Sequence, residues 1–316
     1  MAHVPESTGS WVAVITPFQE DGAVDFPGFR RLVDFHVANG TDMLLVTGSA
    51  GEGTLLSFDE RKEIYRELAP YCKNQIPLFA GVTCPTTRET VRLAQAAEAA
   101  GVTGVVVTVP AYLLPPQSAV LQYLKEVARS VSCEVAIYNN PSRVRVNIEP
   151  QTFATLFHEF PNVSINKDAS PRSSQLAEIM RLTNHRARAF CCDNPDYGLI
   201  LSTLAMGGRG TANITGNIIP AEMHELSQPW DSMADVVRSR DLLFKHLRLM
   251  QLMYRLVNPI MVKAALELLD LPSGAPRPPL QSPPAELVEE LRDAMAESGV
   301  LDRYRGWTSR GASARA

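Results

Sequence analysis

Short runs of β-branched and apolar residues alternate with longer helical patterns along this chain, and that alternation restricts its fold more than any other feature. The first unit is Val12-Ala13-Val14-Ile15 followed by a helical pattern from Asp25 to Asn39 that Gly40 stops. The second is Met43-Leu44-Leu45-Val46, followed by a helix that Ser57 caps, with Glu60 placed to complete a capping box and Ile64 and Leu68 on its apolar face. Leu78-Phe79-Ala80 and a helix from Thr87 to Ala99 make the third, and Gly104 to Thr108 supplies the fourth strand. Val105, Val106 and Val107 are consecutive rather than alternating, as in a parallel strand covered on both faces.

Further strands are expected at Glu134 to Tyr138, Val163 to Asn166, Ala187 to Cys191 and Gly210 to Asn213, with helices from Gln151 to His158 and Ser173 to Arg181. Eight such units within about 220 residues favour an α/β fold of the closed (β/α)8 TIM-barrel type over an open doubly wound sheet. From Ala221 onward the pattern is helical, at Val236 to Leu256, Asn258 to Leu269 and Pro284 to Ala296. The six prolines between Leu271 and Pro284 resist regular structure and mark a rigid connection. The expected organisation is a catalytic barrel over 1–220, a helical C-terminal appendage over 221–304 and a loosely held tail over 305–316 in which Trp307 docks.

The 316 residues are 45% hydrophobic and 20% charged, enough to build a sizeable core. A net charge of -4 supplies no global field to draw nucleic acid or an anionic membrane, and neither is expected as a partner. Met1 to Ser7 lacks the charged and apolar segments of a signal peptide, and no apolar stretch is long enough to span a bilayer, so the cytoplasm is the expected location. Cys72, Cys84, Cys133, Cys191 and Cys192 have no zinc-ligand spacing, and neither a metal nor a cofactor is expected.

Lys167 ends the sixth strand, where the side chain of a barrel residue reaches the catalytic rim. A neutral lysine there attacks a carbonyl; a charged one forms a salt bridge at a loop. Tyr138 occupies the equivalent point one unit earlier and is suited either to proton transfer or to packing. Thr47-Gly48-Ser49-Ala50-Gly51-Glu52-Gly53 follows the second strand, so its backbone N–H groups are placed to cradle an anionic group, with the Ser49 hydroxyl available as a proton relay. It lacks the lysine and hydroxyl residue of a nucleotide phosphate loop. Arg143 and Arg145 each carry the planar fork that grips a carboxylate, and sequence does not choose between them. Tyr112 suits the rim, an oligomer interface or packing, and Asp168 a helix cap or turn.

Taken in order, Thr16-Pro17-Phe18, Gly48-Ser49-Ala50-Gly51-Glu52, Tyr138-Asn139-Asn140-Pro141, Lys167-Asp168, Gly207-Gly208 through Asn217, Asn258-Pro259 through Ala265 and the stretch around Arg277 resemble the dihydrodipicolinate synthase and N-acetylneuraminate lyase family of pyruvate-dependent aldolases. The resemblance implies that Lys167 forms an imine with pyruvate or another 2-oxo acid and that Tyr138 transfers protons. It implies that Ser49 belongs to a proton relay to which Tyr112 is contributed across a subunit pair, and that Ser49 and Ala50 hold the pyruvate carboxylate. Arg143 in the Tyr-Asn-x-Pro-x-Arg arrangement looks like the synthase branch, with L-aspartate 4-semialdehyde as second substrate, and a homodimer or homotetramer is implied. Other 2-oxo-acid aldolases, 2-keto-3-deoxy sugar-acid aldolases or dehydratases, and a noncatalytic 2-oxo-acid-binding protein are the alternatives. The chain departs from the family pattern at Ser49-Ala50, where two threonines are usual, and at Val144-Arg145. It departs also at Pro195-Asp196-Tyr197 and at Ala212-Asn213, where Ala212 faces the substrate position by resemblance.

Overall fold

The computed structural model describes residues 7–308; residues 1–6 and 309–316, including the end of the expected tail, lie outside the described residues. Eight strands run parallel in sequence order around a closed barrel. They are Gly9–Ala13 (β1), Met43–Val46 (β2), Leu78–Gly81 (β3), Gly104–Val107 (β4), Glu134–Asn139 (β5), Val163–Asp168 (β6), Arg188–Cys191 (β7) and Gly210–Asn213 (β8). Ser10 pairs with Thr211 and Val12 with Asn213, which closes the ring. Gly210 sits at φ 145° in this seam, and a Cβ there would come within 1.9 Å of the Gly9 carbonyl oxygen. The first and last strands therefore approach as they do only because this residue has no side chain.

Large side chains fill the interior. Trp11 meets Phe79 at 4.7 Å and Phe190 at 5.6 Å between ring centroids, and all three rings are buried. Strands of four to six residues suffice because every one is paired on both sides, leaving no edge.

The elements differ from expectation in instructive places. β1 starts at Gly9 and ends at Ala13, although the apolar run extends to Ile15. Val14 and Ile15 are buried in the loop above the strand, and the Ile15 N–H goes to the Asn217 side chain at 3.4 Å, so apolar burial outlasts the ladder. β6 runs two residues further than expected, with Lys167 paired to Tyr138 on one side and Phe190 on the other. Helices Gln117–Ser130 and Leu199–Ala205, which complete the repeat after β4 and β7, were not legible. Both begin without a capping side chain, at Pro116 and Gly198 respectively, so the usual start signal is missing.

The C-terminal region consists of helices Pro220–Ser227, Met233–Met253, Ile260–Leu268, Ala285–Glu297 and Val300–Tyr304. Leu249, Met250, Leu252 and Met253 share one apolar cluster with the barrel. Trp307 docks as expected, edge-on to Phe35 at 5.4 Å, with Arg31 donating to its carbonyl at 2.9 Å.

An ion pair between this region and the barrel holds the loop after β2. Lys263 Nζ lies 2.7 Å from Glu52 Oε1, both side chains essentially sealed from solvent, and 4.1 Å from the centre of the Phe18 ring. The Arg277 backbone N–H donates to the other Glu52 oxygen at 2.8 Å, and its guanidinium reaches Glu60 at 3.0 Å. Lys263→Met leaves Glu52 buried without a counter-charge, so chemical denaturation should show a loss of about 3–5 kcal/mol. A loss below about 1 kcal/mol would mean that the pair is dispensable.

Candidate active site

Tyr138 and Lys167 are Cα partners at the ends of β5 and β6, so the parallel register alone brings their side chains to the same rim. Lys167 is 5% exposed, and its Nζ stands 3.9 Å from the centre of the Tyr138 ring and 6.0 Å from that of Trp11. Burial pulls the Lys167 pKa down to about 8; Arg143 acts in the same direction, while Cys192 and Asp193 oppose it. Burial disfavours the charged ammonium, which raises the share of the nucleophilic amine at neutral pH. The same burial pushes Tyr138 up to about 12, with Arg143, Asn140 and Ser49 pulling the other way. Asn140 Nδ2 donates to the Tyr138 hydroxyl oxygen at 2.5 Å. Tyr138 is thereby kept as a protonated phenol beside a partly neutral amine.

The Gly48–Gly53 turn faces them from β2. Thr47 enters it at φ 52° and is tied by its hydroxyl to the Gly81 carbonyl and to Tyr65, each at 2.9 Å. Gly53 packs so closely on this turn that a Cβ would fall 1.9 Å from the Thr47 carbonyl oxygen. From the other side, Thr16 Oγ1 donates to the Gly51 carbonyl at 2.7 Å. The turn is fixed before any substrate arrives. Ser49 and Ala50 line the cavity, and among the described residues neither backbone N–H has a protein acceptor. Two N–H groups without a protein acceptor, on a turn that lines the same cavity as the amine, suit the carboxylate of a 2-oxo acid.

The cavity measures about 350 Å³. Arg143 lines it and Arg145 does not, which separates the two arginines that sequence left equivalent. The reason is local: Pro141–Val144 forms one helical turn capped by Asn140, and Arg145 leaves it at φ 60°, exposed. Ala212 and Ile214 at the end of β8 and Tyr197 after β7 also line the cavity. Asp168 orients a turn rather than capping the next helix, accepting from the Ser170 N–H at 2.7 Å and from Gln175 at 2.9 Å. Tyr112 is not in this cavity. It stands 94% exposed on the loop after β4, at φ 77°, with Leu113 and Leu114 exposed beside it.

Several lining residues were not singled out from the sequence. Asn194 follows β7, and Tyr254, Arg255, Leu256 and Val257 come from the turn before the helix Ile260–Leu268, ahead of Asn258, which also lines the cavity. A Tyr-Arg pair just before the Asn258-Pro259 segment was the available signal. Periodicity gave it no weight, because these residues fall where the helical pattern of Met233–Met253 ends.

Comparisons with known proteins identify the family. The sequence model of the dihydrodipicolinate synthetase family matches residues 6–298. The 4-hydroxy-tetrahydrodipicolinate synthase of Methanococcus vannielii is 31% identical over 293 residues, covering 93% of this chain and 99% of its own. That of Fervidobacterium nodosum is 33% identical over 294 residues with the same coverage. The crystal structure of dihydrodipicolinate synthase from Aquifex aeolicus superposes with a TM-score of 0.88 at 31% identity, over 93% of this chain and 98% of that one. A lysine-bound synthase from Cyanidioschyzon merolae superposes at 0.89, with 27% identity over 93% and 99% of the two chains. With the match running from the first strand through the helix Ala285–Glu297, the chain belongs to the dihydrodipicolinate synthetase family.

Proposed function

We propose that this protein is a lysine-imine 2-oxo-acid synthase that condenses pyruvate with L-aspartate 4-semialdehyde to 4-hydroxy-tetrahydrodipicolinate. The observation that carries the reading is the buried Lys167 amine in a cavity that also holds Tyr138, Ser49 and Arg143. The names of the relatives supply the product.

In the first step the neutral Lys167 amine adds to the keto carbon of pyruvate, water leaves, and a protonated imine forms. The Ser49 and Ala50 N–H groups hold the carboxylate and thereby orient the carbonyl. Loss of a methyl proton gives an enamine, and the phenol of Tyr138 is placed to carry protons at this centre with Ser49 beside it. The enamine carbon then attacks the aldehyde, whose oxygen takes up a proton. Attack of the acceptor's amino group on the imine carbon closes the ring and releases Lys167. Arg143 grips the acceptor's carboxylate, and a bidentate guanidinium contact also sets its orientation. The alternative, a 2-oxo-acid aldolase or dehydratase for another acceptor, draws support from Tyr197 and Ala212 at positions where this chain departs from the family pattern.

We also place Tyr112, Leu113 and Leu114 in a contact with a second copy of the chain. These three adjacent side chains are 94%, 62% and 58% exposed, an apolar group that a homodimer or homotetramer would cover. The cysteines described are all unpaired thiols, which suits the reducing cytoplasm, and among the described residues no helix is long and apolar enough to cross a membrane.

Incubation with pyruvate, borohydride reduction and intact-mass measurement should show one pyruvyl adduct per chain in the parent and none in Lys167→Ala; an adduct that persists in the variant would remove Lys167 from the mechanism. Because the amine must be neutral to attack, kcat/KM for pyruvate should rise about tenfold per pH unit below about 8 and flatten above it. A profile flat from pH 6 to 9 contradicts that requirement. Sedimentation velocity should find a dimer or tetramer that Leu113→Asp together with Leu114→Asp shifts toward monomer, and a parent that sediments as a monomer rules out the contact.

A further inference from the structure

The turn joining Met233–Met253 to Ile260–Leu268 contributes a phenol and a guanidinium to the same cavity wall, Tyr254 and Arg255. Tyr254 has only one way to present its hydroxyl, because its proton is already committed to Asp193 Oδ1. Asp193 is fully buried and saturated. It also accepts from the Thr215 N–H at 2.9 Å, from the Thr215 hydroxyl at 2.5 Å and from the Ile214 N–H at 3.2 Å. With those donors in place the carboxylate neither turns into the cavity nor serves as a substrate ligand. Burial, reinforced by the Asp193 charge, holds Tyr254 well above the usual phenol value, so the phenol stays protonated. Tyr254 lines the cavity, and a hydroxyl whose proton is committed offers lone pairs and no free proton.

Arg255 has the complementary character. Arg255 lines the cavity and pairs with no carboxylate among the described residues, and the same holds for Arg143. The cavity therefore offers two unneutralised guanidiniums beside one acceptor-only oxygen. A 2-oxo acid needs none of these, since its carboxylate belongs at the Ser49–Ala50 turn and its carbonyl at Lys167.

We propose that Tyr254 and Arg255 determine specificity for the second substrate, Tyr254 accepting an N–H from the acceptor's amino group and Arg255 joining Arg143 on its carboxylate. Asp193 is the positioning residue that makes Tyr254 an acceptor. The new assignment is of these two residues to the amino group and the carboxylate of the acceptor proposed above. This inference rests on the imine reading above and deepens it, because it assigns the discrimination to the C-terminal helical region rather than to the barrel loops.

The test compares L-aspartate 4-semialdehyde with succinate semialdehyde, the same carbon chain without the amino group, in pyruvate-dependent condensation. The parent should prefer the amino aldehyde in kcat/KM, since only that aldehyde closes the ring, and the hydrogen bond from its amino group to Tyr254 should account for about tenfold of the preference. Tyr254→Phe should shrink that ratio by about tenfold. The ratio is internally controlled, since a smaller folded fraction or slower imine formation lowers both rates alike. Arg255→Leu should raise KM for both aldehydes about tenfold. Asp193→Asn should shrink the ratio in the same direction as Tyr254→Phe; if that variant does not fold, Tyr254→Phe alone decides. An unchanged ratio in Tyr254→Phe, or an unchanged KM in Arg255→Leu, overturns the inference. So does a parent that traps pyruvate yet uses the two aldehydes equally or uses neither, and the Lys167 reading then still stands. A parent that traps no pyruvate overturns both.

Discussion

Pairing of Ser10 and Val12 with Thr211 and Asn213 turns an eight-stranded sheet into a ring, and the site exists only because that ring is closed. Closure gathers the carboxyl ends of all strands at one rim, so residues far apart in sequence come to share one cavity: Ser49 after β2, Tyr138 on β5, Lys167 on β6 and Ala212 on β8. It also encloses the interior. Trp11, Phe79 and Phe190 pack together inside it, with the Trp11 ring 6.0 Å from the Lys167 amine.

From that enclosure follows the chemistry of Lys167. An amine on a surface loop is almost entirely charged at neutral pH, whereas one surrounded by rings and packed strands loses hydration that the ammonium needs. Arg143 adds repulsion in the same direction, so one guanidinium both suits a substrate carboxylate and disfavours the charged lysine. Asp193 and Cys192 work against this, which keeps the shift moderate. An amine that titrates near the pH at which it works attacks a carbonyl and still gives a cationic imine.

The helices after the barrel are part of the same device. Lys263 reaches down to Glu52 and Arg277 to both Glu52 and Glu60, so the turn that carries Ser49 and Ala50 is clamped by residues more than 200 positions away. Thr16 and Thr47 secure the turn from the barrel side. Tyr254 and Arg255, from the same C-terminal region, line the cavity together with Arg143. Barrel and appendage thus divide the site, one supplying the reacting amine and the other part of the lining.

Local pattern determined a great deal. The parallel strands, the capping box at Ser57 and Glu60, the helix stop near Gly40 and the rigid proline stretch are short-range matters of sterics and hydrogen bonding, and they were legible with boundaries off by a few residues. So was the approach of Ser49, Tyr138 and Lys167 to one cavity, because residues at or just after strand ends in a (β/α)8 pattern point to a common rim. Helices that start without a capping side chain, at Gln117 and Leu199, escaped that reading. Tertiary structure alone decided that Arg143 rather than Arg145 enters the cavity, that Tyr112 stands outside it in its own chain, and that Asp193 commits the Tyr254 proton. Each of these depends on a side chain's direction and on partners distant in sequence, and neither periodicity nor spacing carries that information.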